Sequence, residues 1–205
     1  MPERPLPAGF TVRVAETADF PRIAAALEPH RAEAWPTHHA TPLEEIISRA
    51  HAAGDRCFFG EINGTIAYVA WTRFTEASLP GRALHIPLRS GEAYGYALYV
   101  LPQFRAQGLA TAAGLERLRW LRGLGIRRNY GWLNARNGPI LKVQTRLGYR
   151  FVARLEQTTW RIRFRVPLLT VVTFNPADPL GEWCTPGRLA CRRGVTIFRR
   201  GSFRG

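Results

Sequence analysis

Residues 96–125 read YALYVLPQFRAQGLATAAGLERLRWLRGLG, and the chemistry these residue types can do is anion binding. A strand-like run, Tyr96 to Leu101, meets Pro102, which has no N–H to give a neighbouring strand. Arg105, Gly108 and Ala110 follow, and a helical pattern begins at once. A helix N-terminus has unpaired N–H groups and a partial positive charge. Gly108 lets a ligand approach the main chain closely, small residues from Ala110 to Ala113 keep the first turn open, and Arg105 adds a cation. A strand that parts from its neighbour near Pro102 exposes its N–H and C=O groups to an extended ligand. Together these features suit a diphosphate on the loop with a long arm running down the strand. Two other phosphate loops fail here. A Walker loop needs G-x-x-x-x-G-K-[ST], and this stretch has no lysine; a dinucleotide fingerprint needs G-x-G-x-x-G, and only one of its glycines can be placed.

The elements that must position this loop are legible from local signals. TVRVAET (11–17) alternates as a first strand, and Asp19 is placed to cap a helix to about Leu27, stopped by Pro29. Thr41 with Glu44 has the spacing of a capping box, with Pro42 in the first turn, for a helix to about Ala53. RCFFGEI and TIAYVAWTRF flank Asn63-Gly64, a two-residue hairpin signal. A turn-rich insert at 75–91 holds the short strand ALHIPL, and a further strand spans about 93–101. The helix after Gly108 runs to about Gly123. Then RRNYGWLN (127–134) reads as a strand, GPILKVQTRLG as a short helix, and YRFVARLEQTTWRIRFRV as one or two strands. Antiparallel hairpins followed by strand–helix–strand–helix–strand predict an α/β fold: a mixed central sheet of about six to seven strands flanked by about four helices. This domain takes residues 1–174. Residues 175–205, rich in proline, glycine and arginine, form an appendage in which VTIF is a candidate added strand.

The chain has 205 residues, 46 % of them apolar, enough to bury a core. No apolar run has the roughly 18 residues a bilayer crossing needs, and MPERPLPAGF has no apolar signal core, so a cytoplasmic location is expected. Three cysteines are too few for a disulfide framework, Cys57 reads as packed, and Cys184 with Cys191 lacks metal-site spacing; no metal is expected. The formal charge of +14 is unevenly spread: net −2 over residues 1–92, +10 over 93–155 and +7 over 157–205. That asymmetry is an electrostatic footprint for a polyanion, although 28 arginines to one lysine also fit a coding bias on a solvated surface.

The stretch VLPQFRAQGLA (100–110) resembles the acyl-coenzyme A pyrophosphate loop of the GNAT superfamily of N-acyltransferases, whose core is [QR]-x-x-G-x-[GA]. NGPILKVQTRLGY (137–149) resembles a later motif of that family, an asparagine, a short helix, then Gly-Phe or Gly-Tyr opening a strand. The order of elements over 11–166 follows the family too and leaves the tail outside. The resemblance implies acetyl-CoA, or another acyl-CoA, as cosubstrate of an N-acetyltransferase. It implies that main-chain groups of Leu98, Tyr99 and Val100 hold the pantetheine arm and thioester. N–H groups from Arg105 through Ala106, Gln107, Gly108, Leu109 and Ala110 to Thr111 would hold the pyrophosphate. Asn137 and Gln144 would lie beside the pantetheine or thiol. Many family members have a tyrosine proton donor seven residues after the asparagine; here Gln144 stands there and cannot titrate, so Tyr99, Tyr130, Tyr149 or no acid at all takes that part. The family often has a carboxylate base on the strand before the loop. The position six before Val100 is Tyr94; Glu92, two residues back on the same face, is the first candidate and His85 the second. Trp35, His38, His39, Trp71 and Phe74 are candidates to line an acceptor pocket.

The leading reading is an N-acyltransferase acting on a small-molecule or peptide amine, a homodimer being possible. Two alternatives stay open: a basic nucleic-acid- or ribosome-associated module acting through the arginine-rich tail, and a coenzyme-A-binding family member without turnover.

Overall fold

The computed structural model describes residues 7–35, 40–78, 84–159, 168–174, 190–191 and 195–200; His38, His39, Cys184 and most of the tail lie outside them. The elements in chain order are β1 (Phe10–Val14), α1 (Phe20–Leu27), α2 (Arg31–Ala34), α3 (Leu43–Ala52), β2 (Arg56–Ile62), β3 (Thr65–Arg73), β4 (Glu76–Ser78) and β5 (Leu84–Pro87). There follow β6 (Glu92–Val100), α4 (Leu109–Gly123), β7 (Arg128–Gly131), α5 (Gly138–Arg146), β8 (Ala153–Thr159), β9 (Leu168–Phe174), β10 (Ala190–Cys191) and β11 (Val195–Arg200). The chain divides into two compact units, Met1–Phe74 with Ser90–Leu147, and Thr75–Arg89 with Gly148–Gly205.

The first unit is built on a mixed sheet of order β1-β2-β3-β6-β7, antiparallel except for the last pair. Asn63 and Gly64, with φ of 49° and 78°, make the β2–β3 hairpin turn that their types predict. β3 lies at the centre, so Ile66 to Thr72 are all buried. On one sheet face α1 and α3 bury Ile23, Leu27, Leu43 and Ile47 against Phe59, Val69 and Trp71. On the other, Leu109, Ala112 and Ala113 of α4 pack against Phe58, Tyr68 and Ala70. Each fully buried aliphatic side chain contributes roughly 1.5–3 kcal/mol. Cys57 is buried, as its apolar run predicts, and burial pushes its thiol pKa up.

Two predicted caps turn out differently. Pro42 is the N-cap of α3 with no side-chain cap, so the Thr41–Glu44 box is not made; the Thr41 carbonyl instead accepts from Arg31. Asp19 stands at the N-cap of α1, but its carboxylate accepts from the Glu16 N–H at 2.9 Å and from the Arg13 guanidinium at 2.7 and 2.5 Å. The Arg13 hydrogen bonds hold the Asp19 carboxyl below the usual carboxylate range. A native value below the unfolded one of roughly 3.9 gives a stability contribution that is complete above that pH. It is lost as pH falls through the native value. Asp19→Asn is therefore expected to flatten the acid limb of a plot of Tm against pH; superimposable acid limbs would contradict the assignment.

In the second unit β4 and β5 form a hairpin joined by β10, and β9 lies between β8 and β11. β11 holds the VTIF segment that the sequence marks as a strand. β9 is not read from the sequence as a strand. Among the described residues no helix is long and apolar enough to cross a membrane, and no group of three or more His, Cys, Asp or Glu is placed to hold a metal ion.

Candidate functional site

The β6–β7 ladder runs from Glu92–Arg128 to Gly95–Gly131 and stops there, while β6 continues to Val100 against β3 alone. The two parallel strands thus part, and β6 has an unpaired edge from Tyr96 onward among the described residues. A bulge reshapes that edge. Val69 faces Tyr99 and Trp71 faces Tyr96, so Ala97 and Leu98 together oppose Ala70, with Ala97 at φ 46°. Beyond the bulge the Leu101 N–H donates to the Ala67 carbonyl at 3.0 Å. By antiparallel alternation, the N–H and C=O of Val100 then point to the opposite, unpaired edge. The parting comes several residues before Pro102, where the sequence places it.

The edge leads directly into the loop. Pro102–Phe104 is one 3₁₀ turn, Ala106 and Gly108 have φ of 64° and 82°, and Gly108 is the N-cap of α4 with no side-chain cap. Left-handed residues of this kind gather main-chain N–H groups into an anion-binding hollow. The ends of the predicted cradle are engaged: Arg105 N–H donates to Pro102 O at 3.2 Å, and Thr111 N–H to Gly108 O at 3.0 Å. The N–H groups of Ala106, Gln107, Gly108, Leu109 and Ala110 have no acceptor among the described residues. The cradle is five amides long, two shorter than the sequence suggests, because the 3₁₀ turn and the first turn of α4 each take one.

The Arg105 side chain is not an unpaired cation of this cradle. Its guanidinium donates to Glu33 Oε1 at 2.7 Å and through Nε to Val100 O at 3.1 Å, and it lies 5.2 Å from the centre of the Tyr99 ring. Tyr99 OH donates to the other Glu33 oxygen at 2.8 Å. These donors, Tyr99 foremost, hold the Glu33 carboxyl below its ordinary value; burial and Glu33 raise the Tyr99 phenol. α2 is thereby clasped to the loop through a residue 72 positions away in sequence. Glu33 carries no motif, and only a local excess of acid over base before residue 93 hints at it.

Glu92 is 4 % exposed; its Oε1 accepts from Tyr130 OH at 3.2 Å and lies 3.7 Å from Arg128 Nη1. Burial and Glu92 push the Tyr130 phenol up to about 12. Tyr94 stacks on Tyr96 with centroids 6.0 Å apart, and burial raises its phenol to about 12, so both phenols stay protonated at neutral pH. Glu92, Tyr94 and Tyr96 lie on one face of β6. His85 belongs to the β4–β5 hairpin of the second unit, with Nδ1 3.2 Å from Glu76 Oε1 and 3.4 Å from Ser78 Oγ.

Asn137 is the N-cap of α5, and its Oδ1 accepts from the Ile140 N–H at 3.3 Å. That oxygen serves the helix, leaving the amide NH₂ for other work. Gln144 has a buried Oε1 with no hydrogen-bond partner among the described residues. Of the predicted pocket aromatics, Trp35 and Trp71 come together with ring centroids 6.0 Å apart, and Tyr96 joins them. Phe74 does not: it lies 6.5 Å from Trp120 at the C-terminal end of α4. There it lines a cavity of about 440 Å³ with Trp120, Leu124 and Ile126, away from the α4 N-terminus.

The sequence model of the acetyltransferase (GNAT) family matches residues 20–149. Among solved structures, AAC(6')-Iy in complex with a bisubstrate analogue of coenzyme A and monomethyl-acetylneamine is 19 % identical, with a TM-score of 0.58, covering 75 % of this chain and 99 % of that one. Salmonella typhimurium yncA, a putative acetyltransferase solved with acetyl-CoA, is 18 % identical, with a TM-score of 0.54 and coverage of 78 % and 90 %. The ribosomal-protein-S18-alanine N-acetyltransferase of Escherichia coli is 19 % identical, with a TM-score of 0.53 and coverage of 75 % and 85 %. These likenesses carry the fold. No curated protein matches the sequence.

Proposed function

The chain belongs to the GNAT acetyltransferase family, and from that premise we propose that it transfers an acetyl or other small acyl group from coenzyme A to an amine. The observation that carries this reading is the parting of β6 from β7 after Gly95–Gly131, followed at the start of α4 by five amides with no acceptor among the described residues. That donor set fits a diphosphate. It presents N–H groups without side-chain acceptors, next to a helix N-terminus, and Gly108 keeps bulk out of the approach.

When bound, an acyl thioester supplies an electrophilic carbonyl; the amine nitrogen bonds to that carbon as the C–S bond breaks. The chain's own residues do the rest. The amides of Ala106 to Ala110 bind the diphosphate. The Val100 N–H, on the unpaired edge, donates to the carbonyl oxygen as negative charge grows there. The Asn137 NH₂ and Gln144 orient the sulfur end of the arm. Glu92 takes the proton that the amine loses, directly or through a water. Tyr130 and Tyr94, protonated at neutral pH, hold that carboxylate and the acceptor face in place. Gln144 donates no proton, so the sulfur leaves as thiolate, which a thiol pKa of about 8.5 allows. His85 is given no part in this scheme.

The test is release of free thiol from acetyl-CoA across a panel of amines, with mass spectrometry of the amine product. Turnover is expected with at least one amine, and Glu92→Gln is expected to lower kcat by roughly 10²–10⁴-fold. Coenzyme A binding without thiol release from any amine would reduce the protein to a non-catalytic member; no binding would end the proposal.

A further inference from the structure

Val100 pairs with Tyr68 in the ladder, and by alternation it turns both its N–H and its C=O to the unpaired edge of β6. Those two groups are not equally open. Arg105 folds back along the loop and donates from Nε to the Val100 carbonyl at 3.1 Å. The guanidinium that makes this bond is itself held. Its Nη2 donates to Glu33 Oε1 at 2.7 Å, and it stands 5.2 Å from the centre of the Tyr99 ring. Tyr99, 6 % exposed, fixes Glu33 in turn by donating from its OH at 2.8 Å. A lone exposed ion pair imposes little order, but this one closes on a buried phenol, so α2, β6 and the loop hold the guanidinium in one place. The Arg105 and Glu33 side chains are 44 % and 60 % exposed, so the clasp faces solvent on the side where a ligand arrives.

The capped carbonyl changes what the edge can accept. A strand residue with both groups free pairs best with an amide, which brings a carbonyl and an N–H together. With its carbonyl occupied, Val100 offers a donor alone. An amide laid there would set its own N–H against the guanidinium, donor facing donor. A thioester has a carbonyl and no N–H, so it meets the single donor without that conflict. The arm of an acyl-coenzyme A carries amides along its length and the thioester at its end, and their carbonyls compete for the same N–H.

We propose that Arg105, held by Glu33 and Tyr99, is a positioning residue that sets the register of the acyl-coenzyme A arm on β6. It caps the Val100 carbonyl so that the thioester carbonyl, and not an amide of the arm, takes the Val100 N–H. The Arg105 side chain thus serves the acyl end of the ligand, although its main chain opens the loop that binds the other end. The same N–H then meets the thioester oxygen as negative charge grows on it. This inference rests on the coenzyme A reading above.

Infrared spectra of acetyl-CoA labelled with carbon-13 at the thioester carbonyl, bound to the full chain, read that contact without turnover. In the wild type the carbonyl band is expected below its frequency in free acetyl-CoA, because an accepted hydrogen bond weakens the C=O bond. Arg105→Met uncaps Val100 and is expected to return the band toward the free frequency; Glu33→Ala is expected to do so in part. Calorimetry is expected to give Arg105→Met the wild-type affinity for coenzyme A and for pantetheine within about threefold, because an exposed pair is lost and the cradle amides are untouched. A band at the free frequency in the wild type, or one that stays lowered in Arg105→Met, overturns the role of Arg105 and leaves the coenzyme A reading standing. A loss of coenzyme A affinity in Arg105→Met that pantetheine does not share also overturns it, by placing the guanidinium on the diphosphate. An unchanged band in Glu33→Ala overturns the part given to the clasp. Absence of coenzyme A binding by the wild type ends both readings.

Discussion

Gly108→Trp is expected to abolish coenzyme A binding, raising Kd by at least about 100-fold, which corresponds to roughly 2.7 kcal/mol. Two causes add. Gly108 has φ of 82°, in the left-handed region, where a side chain costs roughly 1–2 kcal/mol. An indole at the N-cap of α4 also stands where the N–H groups of Ala106 to Ala110 converge, and it blocks an anion from reaching them. The fold should survive, because Gly108 packs into neither sheet-face core. Circular dichroism and a melting curve check that point, and calorimetry reads the binding. Undiminished affinity in a folded variant would place the ligand elsewhere.

The largest effect on stability is expected at Asp55→Asn. Asp55 is 1 % exposed at the mouth of β2. Its carboxylate accepts from Arg73 Nε at 3.0 Å and Nη2 at 2.8 Å, and from Tyr96 OH at 2.5 Å. The three groups join the start of β2, the end of β3 and the middle of β6. Removing the anion strands the Arg73 cation, three-quarters buried, beside the aromatic face formed by Tyr94 and Tyr96. Breaking a buried pair on one side costs about 3–5 kcal/mol. At roughly 2–4 °C per kcal/mol for a chain of this size, Tm falls by about 6–20 °C. The double variant with Arg73→Met should recover part of that loss, because no charge is then left unpaired. A loss within about 1 kcal/mol would mean that the pair behaves like an exposed one.

What the sequence made legible was local. The Asn63-Gly64 turn, the strand before Pro102, the glycine opening α4 and the helix at Gly138–Arg146 each follow from residue types within a few positions of one another. The α/β order of elements belongs to this class too. What stayed hidden depends on residues far apart. Arg105 looks like a phosphate ligand beside Gly108, but Glu33 on α2 takes its charge. Asn137 looks like a ligand in its motif, but its oxygen caps the helix it begins. The Asp55–Arg73–Tyr96 cluster spans 41 residues, and no spacing rule reaches across it. Arg117 is buried on α4 in the four-residue stripe of Leu109, Ala113 and Leu121, where an apolar residue belongs, and the other arginines of α4 distract from it.

The central claim is that the main-chain amides of Ala106 to Ala110 hold two linked phosphates. Backbone amide NMR during titration with coenzyme A, and separately with pantetheine, tests it most directly. Coenzyme A is expected to shift and protect those five amides together, pantetheine to leave them unmoved, and both ligands to perturb Leu98 and Val100. Saturation with coenzyme A while the five amides stay at their unliganded shifts would contradict it.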